Sequence, residues 1–279
     1  MGGGRLADLH AWQQVLAPEG FFTHLTAAEV LGLWLPPLPE GLPVCVSLPQ
    51  GTDRPRRAGM RVTRLSRTVP PLLLDGLRVA PPAEVILACA RDLGLLDLVV
   101  LIDSALRAGW CSVEGLRSVA APRRRGAPAL RIALAMADAR AESPWESLLR
   151  LFHVVCDVEV EPQFEGRDER GAFVARGDLW IRGTTTLHEY DGAVHRDRRT
   201  HVNDLARDRR LAGLGWTRRG YTSVDLLDRA RQMLREADTA LGRAHVPSRL
   251  DRWWALLDES LFTARGRQRL ARRWGFEPR

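Results

Sequence analysis

The spacing of apolar residues changes several times along the chain, and each change predicts a new kind of element. Between residues 20 and 80, alternating runs such as "VCVSL" and "MRVTRL" are separated by Pro and Gly, a pattern typical of short strands and turns. One helix, "AAEVLGL", is expected there with Thr26 as its cap. After residue 80 the period is helical: two helices divide near Gly94, and Ser112 caps a third. Residues 1–138 are therefore expected to form a mostly α-helical α+β domain.

The second half of the chain predicts a helix, three strands, a helix, a strand and a helix, in that order. In "ESPWESLLRLFHVV", Ser143 is expected to cap the helix and Pro144 to occupy its first position. The strand segments are "VEVEPQFEG", "AFVARGDLWI" and "TTTLHEYDG"; a basic helix and the segment "RRGYTS" follow. Ser223 is expected to cap the last helix. Residues 139–235 thus predict an α/β sandwich with a mixed sheet, and residues 236–279 a basic helical C-terminal extension.

Composition limits the class of protein. The chain has 279 residues, enough for two modest domains, and 45% of them are hydrophobic. No apolar run reaches the roughly 18 residues of a membrane span, and the N-terminus lacks the apolar core of a secretory signal. The four cysteines are far apart, which favours neither a disulfide framework nor a zinc site. We therefore expect a cytoplasmic protein that is not integral to a membrane.

The charge of the chain favours a polyanionic partner such as DNA. All 41 basic residues are Arg, the net charge is +7 and the pI is about 10.3. Arginines release counterions when they contact phosphates, which gives affinity without sequence preference. A charged surface is also compatible with simple solvation, so charge alone does not decide between these readings. The N-terminal and C-terminal helices are candidate contacts for a protein partner.

Candidate chemistry lies in the hairpin that turns at "RG" between the second and third strand segments. In a strand of period two, Leu187, Glu189 and Asp191 share one face. Asp178 lies in the preceding strand and is expected across from, or diagonal to, Glu189. Carboxylates this close raise one another's pKa, so such clusters persist mainly where a cation lies between them. A hard divalent ion, most simply Mg²⁺, suits these oxygen ligands.

Simpler alternatives exist for these residues. Salt bridges to Arg176 or Arg182 would also explain Asp178 and Glu189. Glu146, taken alone, is typical of an exposed helix acid. The Arg-rich segment "DLARDRR" contains interleaved Asp, so ion pairs within a helix explain it nearly as well as phosphate binding does.

Several motifs together resemble a known domain. The segments "ESPWESLLR", "ARGDLWI", "HEYDGAVH", "DLARDRRLAGLGW" and "YTSVDL" resemble an actinobacterial domain of unknown function related to very short patch repair endonucleases, over residues 139–235. The resemblance implies a restriction-endonuclease-like fold. Upstream, "FFTHLTAAEVLGL" and the segment from "RVTRLS" onward are similar to AbiEi-type antitoxins. That family usually begins with a winged-helix DNA reader, for which this chain starts too late.

The endonuclease resemblance implies a role for each matching residue. Its metal, Mg²⁺ or Mn²⁺, would be held by Asp178, Glu189 and Asp191, with Glu146 reaching it through water. His195 would act as general base or would protonate the leaving oxygen, the alternative being an exposed loop histidine. The DNA-binding residues would be Arg198, Arg207 and Arg210.

The chain departs from the family pattern at three places. The superfamily often has Lys two positions after the second acid, where this chain has Asp191, and the chain contains no Lys at all. Arg218, Arg219 and Gly220 replace the usual residues of the last strand, and His188 replaces a usual Val. Two hypotheses follow. One is a metal-dependent DNA endonuclease in defence or mobile-element biology; the other is a non-catalytic DNA-binding or antitoxin-like regulator that retains a decayed nuclease fold.

Overall fold

The computed structural model describes residues 3–53, 57–167, 171, 173–192, 209 and 211–276. The chain divides into two compact units. Unit 1 comprises Met1–Ala139 and Asp258–Arg279, and unit 2 comprises Arg140–Leu257. Each unit contains helices and one mixed sheet, so the predicted α/β class with a mixed sheet is confirmed. In the part of the chain that the structure describes, no helix has the length and apolar character needed to cross a bilayer.

The elements of both units follow in chain order. Unit 1 begins with α1 (Gly3–Gln14), β1 (Phe21–Phe22), α2 (His24–Val30), β2 (Val44–Pro49), β3 (Met60–Leu65), β4 (Leu72–Leu74), β5 (Leu77–Val79), α3 (Pro82–Cys89), α4 (Leu95–Arg107), α5 (Val113–Ala120) and α6 (Ala127–Leu134). Unit 2 contains α7 (Pro144–Val155), β6 (Val160–Arg167), β7 (Phe173–Ile181), β8 (Thr186–Tyr190), β9 (Thr217–Tyr221), α8 (Ser223–Asp228), α9 (Ala230–Ala240) and the 3-10 turn Pro247–Leu250. The helix α10 (Asp251–Glu259) leads back to unit 1, which ends with α11 (Ala264–Trp274).

The sheet of unit 1 has the strand order β3-β2-β1-β5-β4. Its strands β2 and β3 are parallel neighbours, and β3 lies at the edge. The hairpin of β4 and β5 turns at Asp75 and Gly76, whose φ angles are +50° and +76°. Two successive residues with positive φ suit the right-handed twist of a two-residue hairpin, and Asp-Gly is a preferred pair for it. The core is formed largely by α3 and α4, whose apolar side chains are almost all buried.

The last 44 residues, expected to form one helical extension, are divided between the two units. Trp253 is fully buried in unit 2, where its ring packs against Phe152 at 5.4 Å and its indole N–H donates to the Leu226 carbonyl. In unit 1 the buried Asp97 accepts hydrogen bonds from the Ser260 hydroxyl and the Leu261 N–H, at 2.6 and 2.9 Å. The first part of this segment is therefore held in unit 2 by the burial of Trp253, and the second part in unit 1 by hydrogen bonds to Asp97.

Two helix caps are as expected and two are not. Ser112 and Ser143 each accept a hydrogen bond from the backbone N–H three residues on, which confirms both caps. The prediction for Thr26 is wrong: α2 begins at His24, and the Thr26 hydroxyl accepts from the Cys45 N–H of β2 instead. The prediction for Ser223 is also wrong, because Thr222 and Asp225 form a capping box one residue earlier.

The sheet of unit 2 has the order β6-β7-β8-β9, with β6, β7 and β8 antiparallel and β9 parallel to β8. One side of the sheet faces α7, where His188 meets His153. On the other side Leu187 packs in a cluster with Leu211, Phe164, Trp180 and Trp216. These contacts agree with the expected alternation along β8, in which Leu187 and Glu189 share the face opposite His188.

Candidate functional site

The strand register brings the predicted acids to neighbouring positions. Leu179 pairs with His188, so continuing the antiparallel register by one residue puts Asp178 opposite Glu189. The same register puts Gln163 of β6 on the other side of Asp178, between the pairs Pro162–Leu179 and Phe164–Gly177. Glu189 in turn pairs with Gly220 of β9. One row across the four strands thus carries the polar residues of the site.

Arg218 supplies a cation to this row. It lies on β9 beside Leu187, and its Nε donates to Glu189 Oε2 at 2.5 Å. Its Nη2 lies 3.3 Å from Asp191 Oδ1, so one guanidinium joins two of the predicted metal ligands. The Arg218 side chain is 14% exposed and that of Glu189 is 7% exposed. The positive charge beside Glu189 and Asp191 therefore comes from a largely buried, poorly hydrated arginine.

Gly220 makes room for the Asp191 carboxylate. A Cβ atom at position 220 would lie only 1.8 Å from Asp191 Oδ2. The Asp191 N–H also donates to the Tyr221 carbonyl at 2.7 Å, which fixes the residue at the end of β8. Asp191 therefore reaches Arg218 because the neighbouring strand has no side chain at this point.

Asp178 and Tyr190 close the end of the hairpin. The Tyr190 N–H donates to Asp178 Oδ2 at 2.8 Å. The Tyr190 ring stacks on Trp145 of α7, with 5.4 Å between ring centroids and 7° between ring planes. Asp178 is thus held beside the end of β8, where the Tyr190 ring packs on the start of α7.

Glu146 connects α7 to β6. Its Oε2 accepts hydrogen bonds from the Glu142 N–H and from the Gln163 amide, at 2.8 and 2.9 Å. Gln163 has φ of +54°, a left-handed conformation that is uncommon for a residue other than glycine. Glu142 itself pairs with Arg176 at 2.6 Å. The contacts of Glu146 are therefore those of a residue that fixes a helix N-terminus on a strand; its expected water-mediated contact to a metal stays a prediction.

The predicted metal ligands do not fit a resident divalent ion in their present arrangement. Carboxylate oxygens are suitable donors for Mg²⁺ or Mn²⁺. Within the residues that the structure describes, however, no three His, Cys, Asp or Glu side chains are grouped to hold a metal ion. Arg218 already forms ion pairs with Glu189 and Asp191. A divalent ion would have to displace this guanidinium.

A buried hydrogen-bonded chain lies beneath the site and was not foreseen from the sequence. His153 and His188 are fully buried, with 2.8 Å between His153 Nε2 and His188 Nδ1. His153 Nδ1 must donate to the Leu149 carbonyl, so its Nε2 accepts from His188. On the far side, the Tyr221 hydroxyl donates its one proton to Glu236 at 2.7 Å, so its 3.3 Å contact with the unprotonated His188 Nε2 is not a hydrogen bond in this tautomer.

Burial keeps His153 and His188 neutral. Burial lowers the pKa of His153 to about 4, and the hydrogen bond to Leu149 offsets it only in part. The pKa of His188 is held well below its usual value by burial, then by His153 and Arg219. The signal in the sequence was the spacing of Leu149 and His153 on one helix face, and of His188 on the strand face that meets it. Neither residue carries a motif of its own.

Four predicted site residues lie outside the described residues: His195, Arg198, Arg207 and Arg210. Their roles stay predictions.

Comparisons with known proteins yield one distant structural neighbour. Neither the protein-family models nor the curated proteins give a match. The crystal structure of the RV2827C protein from Mycobacterium tuberculosis is similar over 53% of this chain and 57% of that chain, with a TM-score of 0.37 and 20% identity.

Proposed function

We propose that this chain is a nucleic-acid-binding protein whose unit 2 keeps a nuclease-like sandwich without a resident divalent metal. The observation that carries the proposal is the position of Arg218 between Glu189 and Asp191. A guanidinium stays protonated at any physiological pH, so it neutralises the acids without generating a nucleophilic water. Unit 2 then contributes structure and surface, and the chemistry of hydrolysis is not needed.

Charge supports nucleic acid as the partner. The net charge of +7 is carried entirely by arginines, whose planar donors match phosphate oxygens in pairs. A cytoplasmic location belongs to the same proposal. It is supported by the free thiols of Cys45, Cys89, Cys111 and Cys156, which suit a reducing compartment.

Titration of labelled DNA at several salt concentrations tests this function. Binding is expected to weaken steeply as salt rises, because phosphate contacts release counterions. The variant Glu189→Ala is expected to bind DNA as tightly as the wild type, and EDTA is expected to change nothing. Absence of DNA binding at low salt would refute the proposal and would leave a protein-interaction module.

A second candidate is a metal-dependent endonuclease that hydrolyses DNA phosphodiesters. It is favoured by the row that unites Asp178 and Glu189, the two acids that the endonuclease resemblance singles out. In this case Arg218 acts as a cation that a divalent ion displaces when DNA binds. The test is nicking of supercoiled plasmid with Mg²⁺ or Mn²⁺ by the wild type, by Arg218→Met and by Asp178→Ala. Nicking that Asp178→Ala abolishes supports this candidate, and absence of nicking in both other proteins excludes it.

A further inference from the structure

Unit 1 contains a large basic cleft that is separate from the acid row. The cleft has a volume of about 1330 Å³. Its walls are the edge strand β3 with the residues after it, the loop Pro122–Arg125, and the end of α11 with Gly275 and Phe276. A pocket that holds a small molecule usually measures about 300–1,000 Å³, so this cleft has room for a ligand larger than one small molecule.

Arginines dominate the lining. The eight that line the cleft are Arg61, Arg64, Arg67, Arg91, Arg123, Arg124, Arg125 and Arg273. Two of them, Arg67 and Arg124, pair with Glu84, and Arg273 pairs with Asp92. Of the eight, five remain without a carboxylate at ion-pair distance among the described residues. The cleft therefore carries a strong excess of positive charge.

Arg91 shows the cost of this crowding. Its Nε is buried and has no hydrogen-bond partner in the part of the chain that the structure describes. Burial lowers its pKa, and the neighbouring Arg125 and Arg124 lower it further. A bound anion would relieve this repulsion. The cleft thus has the electrostatics of a site that is completed by a negatively charged ligand.

Aromatic side chains stand among these arginines. The guanidinium carbon of Arg61 lies 4.4 Å from the centre of the Trp274 ring, a cation–π contact that fixes Arg61 without using its N–H donors. Phe276 lines the same wall and is half-buried. Cationic donors for phosphates next to aromatic or guanidinium faces for bases are the combination that binds single strands.

We propose that this cleft binds a single-stranded segment of nucleic acid. The arginines of β3 and of the loop hold the phosphates, and the wall formed by Arg61, Trp274 and Phe276 receives unstacked bases. A duplex keeps its bases stacked and paired, so it cannot present them to this wall. The inference rests on the proposed function because it assumes a nucleic-acid partner. It adds the binding site, which is the cleft of unit 1, and the form of the partner, which is a single strand.

Fluorescence anisotropy with a short labelled oligothymidylate tests the site in the full chain. The cleft variant is Arg123→Ala/Arg125→Ala, which changes two exposed loop residues. The matched control is Arg117→Ala/Arg272→Ala, at two exposed positions of α5 and α11 outside the cleft. Both double variants lower the net charge equally, so a general effect of charge affects them alike.

The expected result is a change in the salt dependence of binding. Each phosphate contact with a single strand contributes about −0.7 to the slope of log K against log salt concentration. The cleft variant is expected to make this slope shallower by about 1.4 and to weaken binding about tenfold or more at 150 mM salt. The control is expected to keep the wild-type slope. The variant Phe276→Ala is expected to weaken binding about tenfold with an unchanged slope, because a stacking contact involves no counterion.

Three results would overturn the inference in different ways. If the wild type binds the oligonucleotide and the cleft variant matches the control, the strand binds elsewhere, although the proposed function stands. If the cleft variant weakens a duplex of the same sequence and heparin as much as the single strand, and Phe276→Ala has no effect, the cleft is a general polyanion site. If the wild type binds no nucleic acid at low salt, the proposed function fails and this inference fails with it.

Discussion

Replacing Arg218 by Met tests the central feature of unit 2. The substitution keeps an apolar stem of similar length and removes the guanidinium that joins Glu189 and Asp191. The acids are then left with one fewer cation at a site where the Glu189 side chain is only 7% exposed. We expect the folded state to lose stability because a poorly hydrated carboxylate loses a charged partner.

The magnitude follows from the burial of the pair. Removing one partner of a buried ion pair costs about 3–5 kcal/mol. Asp191 is 27% exposed and regains water, whereas Glu189 does not, so the lower end of this range, about 3 kcal/mol, applies. The second variant, Arg218→Met/Glu189→Gln, also removes the Glu189 charge and is expected to recover part of the loss. Arg219→Ala, an exposed neighbour on β9, is expected to change the stability by less than about 0.5 kcal/mol.

Urea unfolding of the four proteins, followed by circular dichroism with EDTA and again with Mn²⁺, measures these differences. A loss below about 1 kcal/mol in Arg218→Met would mean that Arg218 is a surface pair of little energetic importance. Failure of Glu189→Gln to recover stability would show that packing of the arginine stem, and not charge, is what was lost. Stabilisation of Arg218→Met but not of the wild type by Mn²⁺ would show that the vacated acids accept a divalent ion.

Three further predictions concern other parts of the fold. Stability is expected to fall as the pH decreases from about 6.5 to about 4, because His153 binds a proton in the unfolded chain but not when it is buried in the folded protein. The loss from this residue is about 3 kcal/mol. His153→Gln should flatten the plot of stability against pH measured by urea unfolding. Gly220→Ala is expected to displace Asp191 and to cost about 1–3 kcal/mol; an unchanged melting temperature would contradict the steric argument. Asp97→Ala leaves the buried Leu261 N–H without an acceptor, so its amide hydrogen should exchange faster and unit 1 should lose about 1–3 kcal/mol; unchanged exchange would contradict this assignment.

The order of the described elements in unit 2 was predictable because its signals are local. The predicted basic helix between β8 and β9 lies mostly outside the described residues and stays a prediction. Ser143 and Pro144 mark the start of α7, and an apolar stripe follows at helical spacing. The hairpin of β7 and β8 is short, so its register follows from the turn, and this placed Asp178 near Glu189. A local rule failed at Thr26, where the hydroxyl is used by a strand distant in sequence.

The partner of the acids was not predictable because it depends on a non-local register. The segment that became β9 was recognised as a strand, but nothing in its own residues specifies which residue of β8 lies beside Arg218. The histidine chain has the same origin, since His153 and His188 come together only when α7 packs on β8. Helix-to-strand and parallel strand contacts of this kind are set by the whole core and not by a sequence window.

Since the chain contains no lysine, an arginine is the long basic side chain available to this site. A lysine in a buried site can lose its proton and take part in proton transfer, whereas a guanidinium keeps its charge. The arginine therefore neutralises acids of this row at any physiological pH, and a divalent ion would have to displace it. Stability requires Arg218 to stay paired with the acids, whereas metal-dependent hydrolysis would require it to leave them. If Arg218→Met is both less stable and newly responsive to Mn²⁺, the row is a nuclease site closed by its own side chain; if it is only less stable, the acids serve to hold β9 in the sheet.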